Sequence, residues 1–201
     1  FYDDFLGYEP LLSETGSRGP WKTVEVNLNT AIALLANEPN GALALILDSD
    51  NNAEDAVLYW GDQRGISLKY DAIFECRLRV SVLPTGTATM VWGLAGAHDL
   101  DKDTVATAAW FRLDGSGALK LETDDVTTNT DDISAGETLL AGTYYRFRID
   151  FSNLADVKFY LDGVQVASAS TFDMSALTDA GAVMQPYFSI DKGAETSVGT
   201  M

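Results

Sequence analysis

Two acidic runs in this chain place oxygen ligands at the alternate spacing that hard cations use. Asp48, Asp50 and Asn52 match the first three ligand positions of an EF-hand calcium loop. Ala53 stands where that loop needs glycine, and Tyr59 where it needs a bidentate glutamate. Asp99, Asp101 and Asp103, following His98, repeat the alternation and depart at the same places. Either run could hold calcium weakly with help from elsewhere in the fold. The competing reading is a solvated turn in which Asp and Asn bond their own backbone. Phosphate-cradling glycine loops and Cys/His zinc spacing are absent, so calcium is the one cofactor in question and the expectation is none.

Hydrolysis of a glycosidic bond needs two carboxyls about 5–5.5 Å or about 6.5–9.5 Å apart. An alternating Glu-x-Asp-x-Glu strand would supply them, and none exists here. Glu122 and Asp124 come closest, and they read as the solvent face of a strand running into a turn. The one histidine, His98, lies in a polar loop with no nucleophile elbow to serve, since Gly115-Ser116-Gly117 sits in a hairpin turn. Cys76 falls on the apolar register of a strand and reads as a small core residue. The expectation is a protein that is not an enzyme. The aromatics remain. Trp60, Trp92 and Trp110 lie on or beside strands, and Trp110 shares a face with Arg112. Indole faces flanked by arginine stack on sugars or anchor interfaces, which makes these four the candidate glycan- or partner-binding residues. The alternative is that a sandwich packs its tryptophans in the core.

The elements that must position these residues are strands. Phe74, Cys76, Leu78, Val80 and Val82 share one face of an alternating run. Pro84-Thr85-Gly86 turns the chain into 87–94, the next strand spans 104–113, and Asp114–Gly117 turns it into 118–123. These units read as a meander. Tyr145, Phe147, Ile149 and Phe151 alternate with polar partners, and Asp162-Gly163 between two apolar runs is a strong hairpin signal. A last strand over 182–190 contains Pro186, which favours an edge or a bulge. Residues 30–36 read as a helical turn or a strand, and 172–177 as one short turn. The chain thus reads as a single all-β domain over 1–201, a two-sheet antiparallel β-sandwich.

Thirty acidic against thirteen basic residues give a net charge of −17, which repels phosphate backbones and anionic lipid. Nucleic acid and membrane surfaces are therefore excluded as partners. No run approaches the ~18 apolar residues of a membrane span. A single cysteine rules out an internal disulfide and leaves the compartment open.

Asp3-Asp4-Phe5, the Phe74–Val82 strand and the Tyr144–Phe151 and Val157–Val166 runs resemble the concanavalin A-like lectin/glucanase superfamily. The last of these is similar to the strand–hairpin signature of laminin-G-like domains. The resemblance implies a jelly-roll with one concave sheet and binding on the concave face or rim loops. The glucanases of that superfamily carry Glu-x-Asp-x-x-Glu on one strand, which this chain lacks. Alginate lyases carry Arg-, Gln/His- and Tyr-bearing strands, of which Tyr187–Lys192 is a faint echo, so no catalytic residue carries over. Members also close with a strand beside the N-terminal Asp-Asp-Phe strand. This chain reads as stopping short of it at Met201, which would leave an edge for assembly. The acidic surface, the missing cysteine pairs and the Trp-Phe-Arg-Leu-Asp-Gly strand-turn resemble virion proteins of tailed bacteriophages. That resemblance implies a capsid decoration, head fibre or tail-associated module in the virion. Its partners would be copies of itself and capsid or tail proteins, with cell-surface glycan as a further contact. The alternatives are a carbohydrate-binding module of a secreted bacterial protein and a divergent glycanase or polysaccharide lyase.

Overall fold

Alternating apolar residues pair the chain into antiparallel layers, seen in a computed structural model that describes residues 21–26, 31–35, 38 and 41–201. The strands are β1 (Lys22–Val26), β2 (Ala31–Leu34), β3 (Leu43–Leu47), β4 (Glu54–Tyr59), β5 (Ile66–Ser67), β6 (Ile73–Arg79), β7 (Thr89–Ala95) and β8 (Thr107–Asp114). They continue as β9 (Ala118–Asp125), β10 (Asn129–Thr138), β11 (Tyr144–Asp150), β12 (Lys158–Leu161), β13 (Val164–Val166), β14 (Val183–Lys192) and β15 (Gly199–Thr200). The large sheet runs β1-β4-β14-β7-β8-β9-β10, with β5 paired to the start of β14. The opposing layer consists of β13-β12-β11-β6 and β15-β3-β2, joined by a bridge between Val82 and Thr200. This is an all-β, two-layer jelly-roll sandwich.

The core lies between the layers and is aromatic. Trp92 and Phe111 from the large sheet stack 6.0 Å apart, and both meet Phe147 of β11 edge-on, at 4.9 and 5.0 Å. Phe159 of β12 closes on Phe111 at 5.3 Å. The Tyr144–Phe151 alternation therefore buries the side expected of it: Phe147, Ile149 and Phe151 are buried. Asp162 and Gly163 turn the β12–β13 hairpin with φ of 50° and 84°.

Several expectations are corrected. The expected meander holds for β7-β8-β9-β10, but β6 belongs to the opposite layer, so Pro84–Gly86 carries the chain between sheets. Periodicity reports which residues share a face and does not say which sheet a strand joins. Pro186 sits in β14, a central strand flanked by β4 and β7. Met184 accepts through its carbonyl from Gly65 N, so by alternation the Pro186 nitrogen points the same way, between β5 and the end of β4. No ladder bond is lost there. Gln185 fills in, its side-chain carbonyl accepting from Trp60 N at 3.1 Å and Asp62 N at 3.0 Å. Residues 31–34 are strand, and 172–177 form turns without helix. Cys76 is half-buried against the core, and burial pushes its thiol well up, which suits a packing residue and not a nucleophile.

The C-terminal edge expected to be open is filled. Gly199 and Thr200 pair with Leu47 and Ile46, while Thr200 also bonds Val82 on its other side. Leu45 and Met201 exchange both backbone hydrogen bonds. Two residues are too few to show a period, which is why the strand was invisible in the sequence. The Asp3-Asp4-Phe5 segment lies outside the described residues.

Candidate functional site

The face of the large sheet turned away from the main core is built by alternate residues of five strands. Val57 and Tyr187, Val91 and Ala95, and Ala108 and Trp110 form a second apolar cluster there, joined by Val105 from the 96–106 segment linking β7 to β8. That segment folds down over the face. His98 N donates to Asp62 Oδ1 at 2.9 Å, and His98 Nδ1 lies 2.8 Å from the Tyr187 hydroxyl.

Beneath the segment lies a cluster of charge. Asp55 of β4 and Asp191 of β14 stand directly opposite each other across the ladder, an arrangement of like charges that is costly unless compensated. Lys102 compensates it. Its side chain is only 2% exposed, with Nζ 3.4 Å from Asp55 Oδ1 and 3.9 Å from Asp191 Oδ1. Burial nevertheless lifts the Asp191 carboxyl to about 7 against the pull of Lys102, and raises Asp55 as well. His98 is lowered by burial, opposed by the Asp55 charge, and Tyr187 is pushed up by burial beside Asp55.

Next to this cluster the face opens into a small recess lined by Lys102, Asp103, Glu122, Asp124, Asn129 and Asp131. Behind its lining Arg112 pairs with Asp114 at 2.7 Å, with Glu122 at 3.2 Å and with Asp103. Glu122 corrects the expectation of a solvent-facing residue: it is 5% exposed, and its Oε2 accepts from Trp110 Nε1 at 2.7 Å. Alternation placed it on the correct face, but that face is covered. Burial raises the Glu122, Asp124 and Asp131 carboxyls, and the Asp103 charge pushes Asp131 the same way.

The tryptophans singled out from the sequence divide accordingly. Trp92 is fully buried in the main core and Trp110 is 2% exposed on the covered face, so neither offers its ring to a ligand. Trp60 is half-buried at the exit of β4, edge-on to Trp21 at 6.2 Å. Arg112 keeps 13% of its side chain exposed, and Trp110, not Arg112, borders the recess.

The acidic loops are explained by lysines. Asp99 accepts from Asp101 N and Asp101 from Asp103 N, so their carboxylates close turns, while Lys102 Nζ takes the carbonyls of Asp99 and Leu100 at 3.1 and 3.2 Å. In the other loop, Lys192 of β14 is wholly buried and donates to the carbonyls of Asp48 and Asp50 at 2.8 and 2.7 Å. Its third neighbour is Glu54 Oε1, at 3.3 Å. Glu54 replaces Asn52 in the set: Asp48, Asp50 and Glu54 bring carboxylate oxygens within 4.8 Å of one another, whereas Asn52 is exposed and bonds Asp50. The Lys192 ammonium lies 3.7, 3.9 and 3.3 Å from oxygens of these three carboxylates. The lysine between Asp101 and Asp103 was the available signal in the sequence; Lys192, far along the chain, offered none.

No family model matches the chain, and no curated protein matches it in sequence. Solved structures match it in fold. A Shewanella oneidensis protein of unknown function shares 12% identity at a TM-score of 0.62, covering 98% of this chain and 83% of that one. The carbohydrate recognition domain of Emp47p shares 13% at 0.55, covering 94% and 89%. The carbohydrate-binding module CBM66 from Bacillus subtilis shares 14% at 0.50, covering 90% and 91%. The chain has the concanavalin A-like jelly-roll fold. Among the described residues no helix is long and apolar enough to cross a membrane.

Proposed function

We propose that this chain is a non-catalytic carbohydrate-binding module whose ligand docks at the recess between Lys102, Asp103, Asn129 and Asp131. The observation that carries this reading is the convergence of polar groups on one opening at the border of a covered apolar cluster. Carboxylates and an amide there offer acceptors and donors to sugar hydroxyls. The lectin domain and the binding module of the same fold lend support through architecture. Glu122 already accepts from Trp110 and Arg112, which suits it to holding the recess and leaves it a poor proton shuttle.

A place on a tailed-phage particle draws support from the −17 charge. Assembly through free edges draws less. The long edge strand β10 carries register shifts and left-handed residues at Asp132 and Gly136, devices that blunt an edge against pairing.

A glycan array followed by calorimetry tests the proposal. Saturable binding of a soluble oligosaccharide is expected, weakened about tenfold by Asn129→Ala or Asp131→Ala with the fold unchanged. Release of reducing ends, or binding indifferent to both substitutions, would refute it.

A further inference from the structure

Lys102 is attached to its own loop more firmly than to the sheet beneath it. Its shortest contacts are the carbonyls of Asp99 and Leu100, at 3.1 and 3.2 Å. The sheet's carboxylates stand back at 3.4 Å (Asp55) and 3.9 Å (Asp191), where a charge-assisted bond normally closes to about 2.7–2.9 Å. The Tyr187 ring centroid lies 6.0 Å from the same nitrogen. Asp55 is 97% buried by difference from its 3% exposure, yet its Oδ2 has no hydrogen-bond partner, and Asp191 Oδ1 likewise has none. The sheet thus presents two carboxylates and an aromatic face to one ammonium; Ser189 also donates to Asp55 Oδ1, and His98 Nε2 stands 3.9 Å from Asp55 Oδ2, too far for a hydrogen bond, so one oxygen of each carboxylate stays without one. The loop that supplies that ammonium is otherwise held to the face by His98, which bonds Asp62 and Tyr187, lies 3.9 Å from Asp55 Oδ2 and packs on the Tyr59 and Tyr187 rings, by Asp103 on Arg112, and by the packing of Val105.

We infer that Asp55, Asp191 and Tyr187 form a primary-ammonium site whose resident occupant, Lys102, competes with a glycan bearing free amino groups. This rests on the carbohydrate-binding reading above and narrows it to amino sugars. Lys102 also lines the open recess, so a chain docked there would carry its amine to the lysine's position as the 96–106 segment lifts. The acidic surface of the molecule favours a cationic ligand and disfavours uronates and sulfated sugars. A free amine of the ligand would replace the lysine with closer contacts to the two carboxylates and stack over the same ring.

Two variants test it, Lys102→Ala and Lys102→Met, the second keeping most of the packed stem if the first folds poorly. In thermal unfolding, ethylammonium is expected to raise the midpoint of Lys102→Ala well beyond its effect on the unsubstituted protein, with tetramethylammonium at equal ionic strength as control. In calorimetry, glucosamine oligomers are expected to bind Lys102→Met about tenfold tighter than they bind the unsubstituted protein. N-acetylglucosamine oligomers, whose amines are blocked, should show no such gain. Equal effects of ethylammonium and tetramethylammonium would overturn the ammonium site. Rescue by ethylammonium without any gain for glucosamine oligomers would overturn the competition. In either case, undiminished binding of neutral oligosaccharides by the unsubstituted protein would leave the broader carbohydrate-binding proposal standing, whereas loss of all glycan binding would remove both.

Discussion

Lys192→Met is expected to lower the free energy of unfolding by about 3–5 kcal/mol, the usual cost of removing one partner from a buried ion pair. The urea midpoint, at an unchanged slope, is the measurement. The argument is local. Lys192 and Glu54 face each other across the β4–β14 ladder with fully buried side chains, and the ammonium also satisfies the carbonyls of Asp48 and Asp50. Methionine fills the volume and bonds none of these groups. The Glu54 carboxyl, already raised by burial and by the Asp48 side chain, would then have to protonate or stay charged in the core. Adding Glu54→Gln should therefore recover part of the loss, so the double variant is less destabilised than the two single effects summed. In the unsubstituted protein, millimolar calcium should leave the midpoint where it was, because a fixed positive charge already holds the loop. A calcium-dependent rise would show that the lysine vacates the loop and that the sequence spacing had the correct cation.

Trp92→Ala is expected to cost about 3–5 kcal/mol as well, through a different mechanism, the cavity left by a large aromatic side chain. Trp92 is fully buried, stacked on Phe111 and edge-on to Phe147, so truncation removes the contact that locks the large sheet to the opposing layer. Thermal unfolding reads the loss, and carbohydrate affinity per folded molecule should stay unchanged. The reverse result, intact stability with lost binding, would make Trp92 the sugar platform that its position beside an arginine-bearing strand allowed from sequence.

These two residues show what the sequence could and could not convey. Alternation and Asp162-Gly163 turn chemistry were enough for the β11–β12–β13 unit, because that layer has a core face and a solvent face and period two separates them. The large sheet defeated the same reasoning. Its outer face is covered by 96–106, so Glu122, placed on the correct face, was taken as facing solvent, and Trp110, left between a binding and a core role, is buried there with it. Pro186 argued for an edge, yet it occupies the one spot in a central strand where a missing N–H costs nothing. The acidic runs were legible as cation cradles, and the structure adds a buried lysine beside each: Lys102 on the backbone carbonyls of one and Lys192 from far along the chain on those of the other. Spacing along a strand cannot show which distant side chain folds into it. Arg112 was singled out for sharing a face with Trp110, and the ladder pairs it with Lys120 beside Glu122. Asn129 and Asp131 were missed because an edge strand with bulged register gives no clean period.

The most direct test of the central claim is heteronuclear NMR of the isotope-labelled chain, titrated with the best oligosaccharide from the array. Binding at the recess predicts saturating amide shifts clustered at Asp103, Arg112, Asp124, Asn129 and Asp131, with the 96–106 segment moving along with them. Saturating shifts confined to the opposing layer, around β11–β13 or β2–β3–β15, would contradict it.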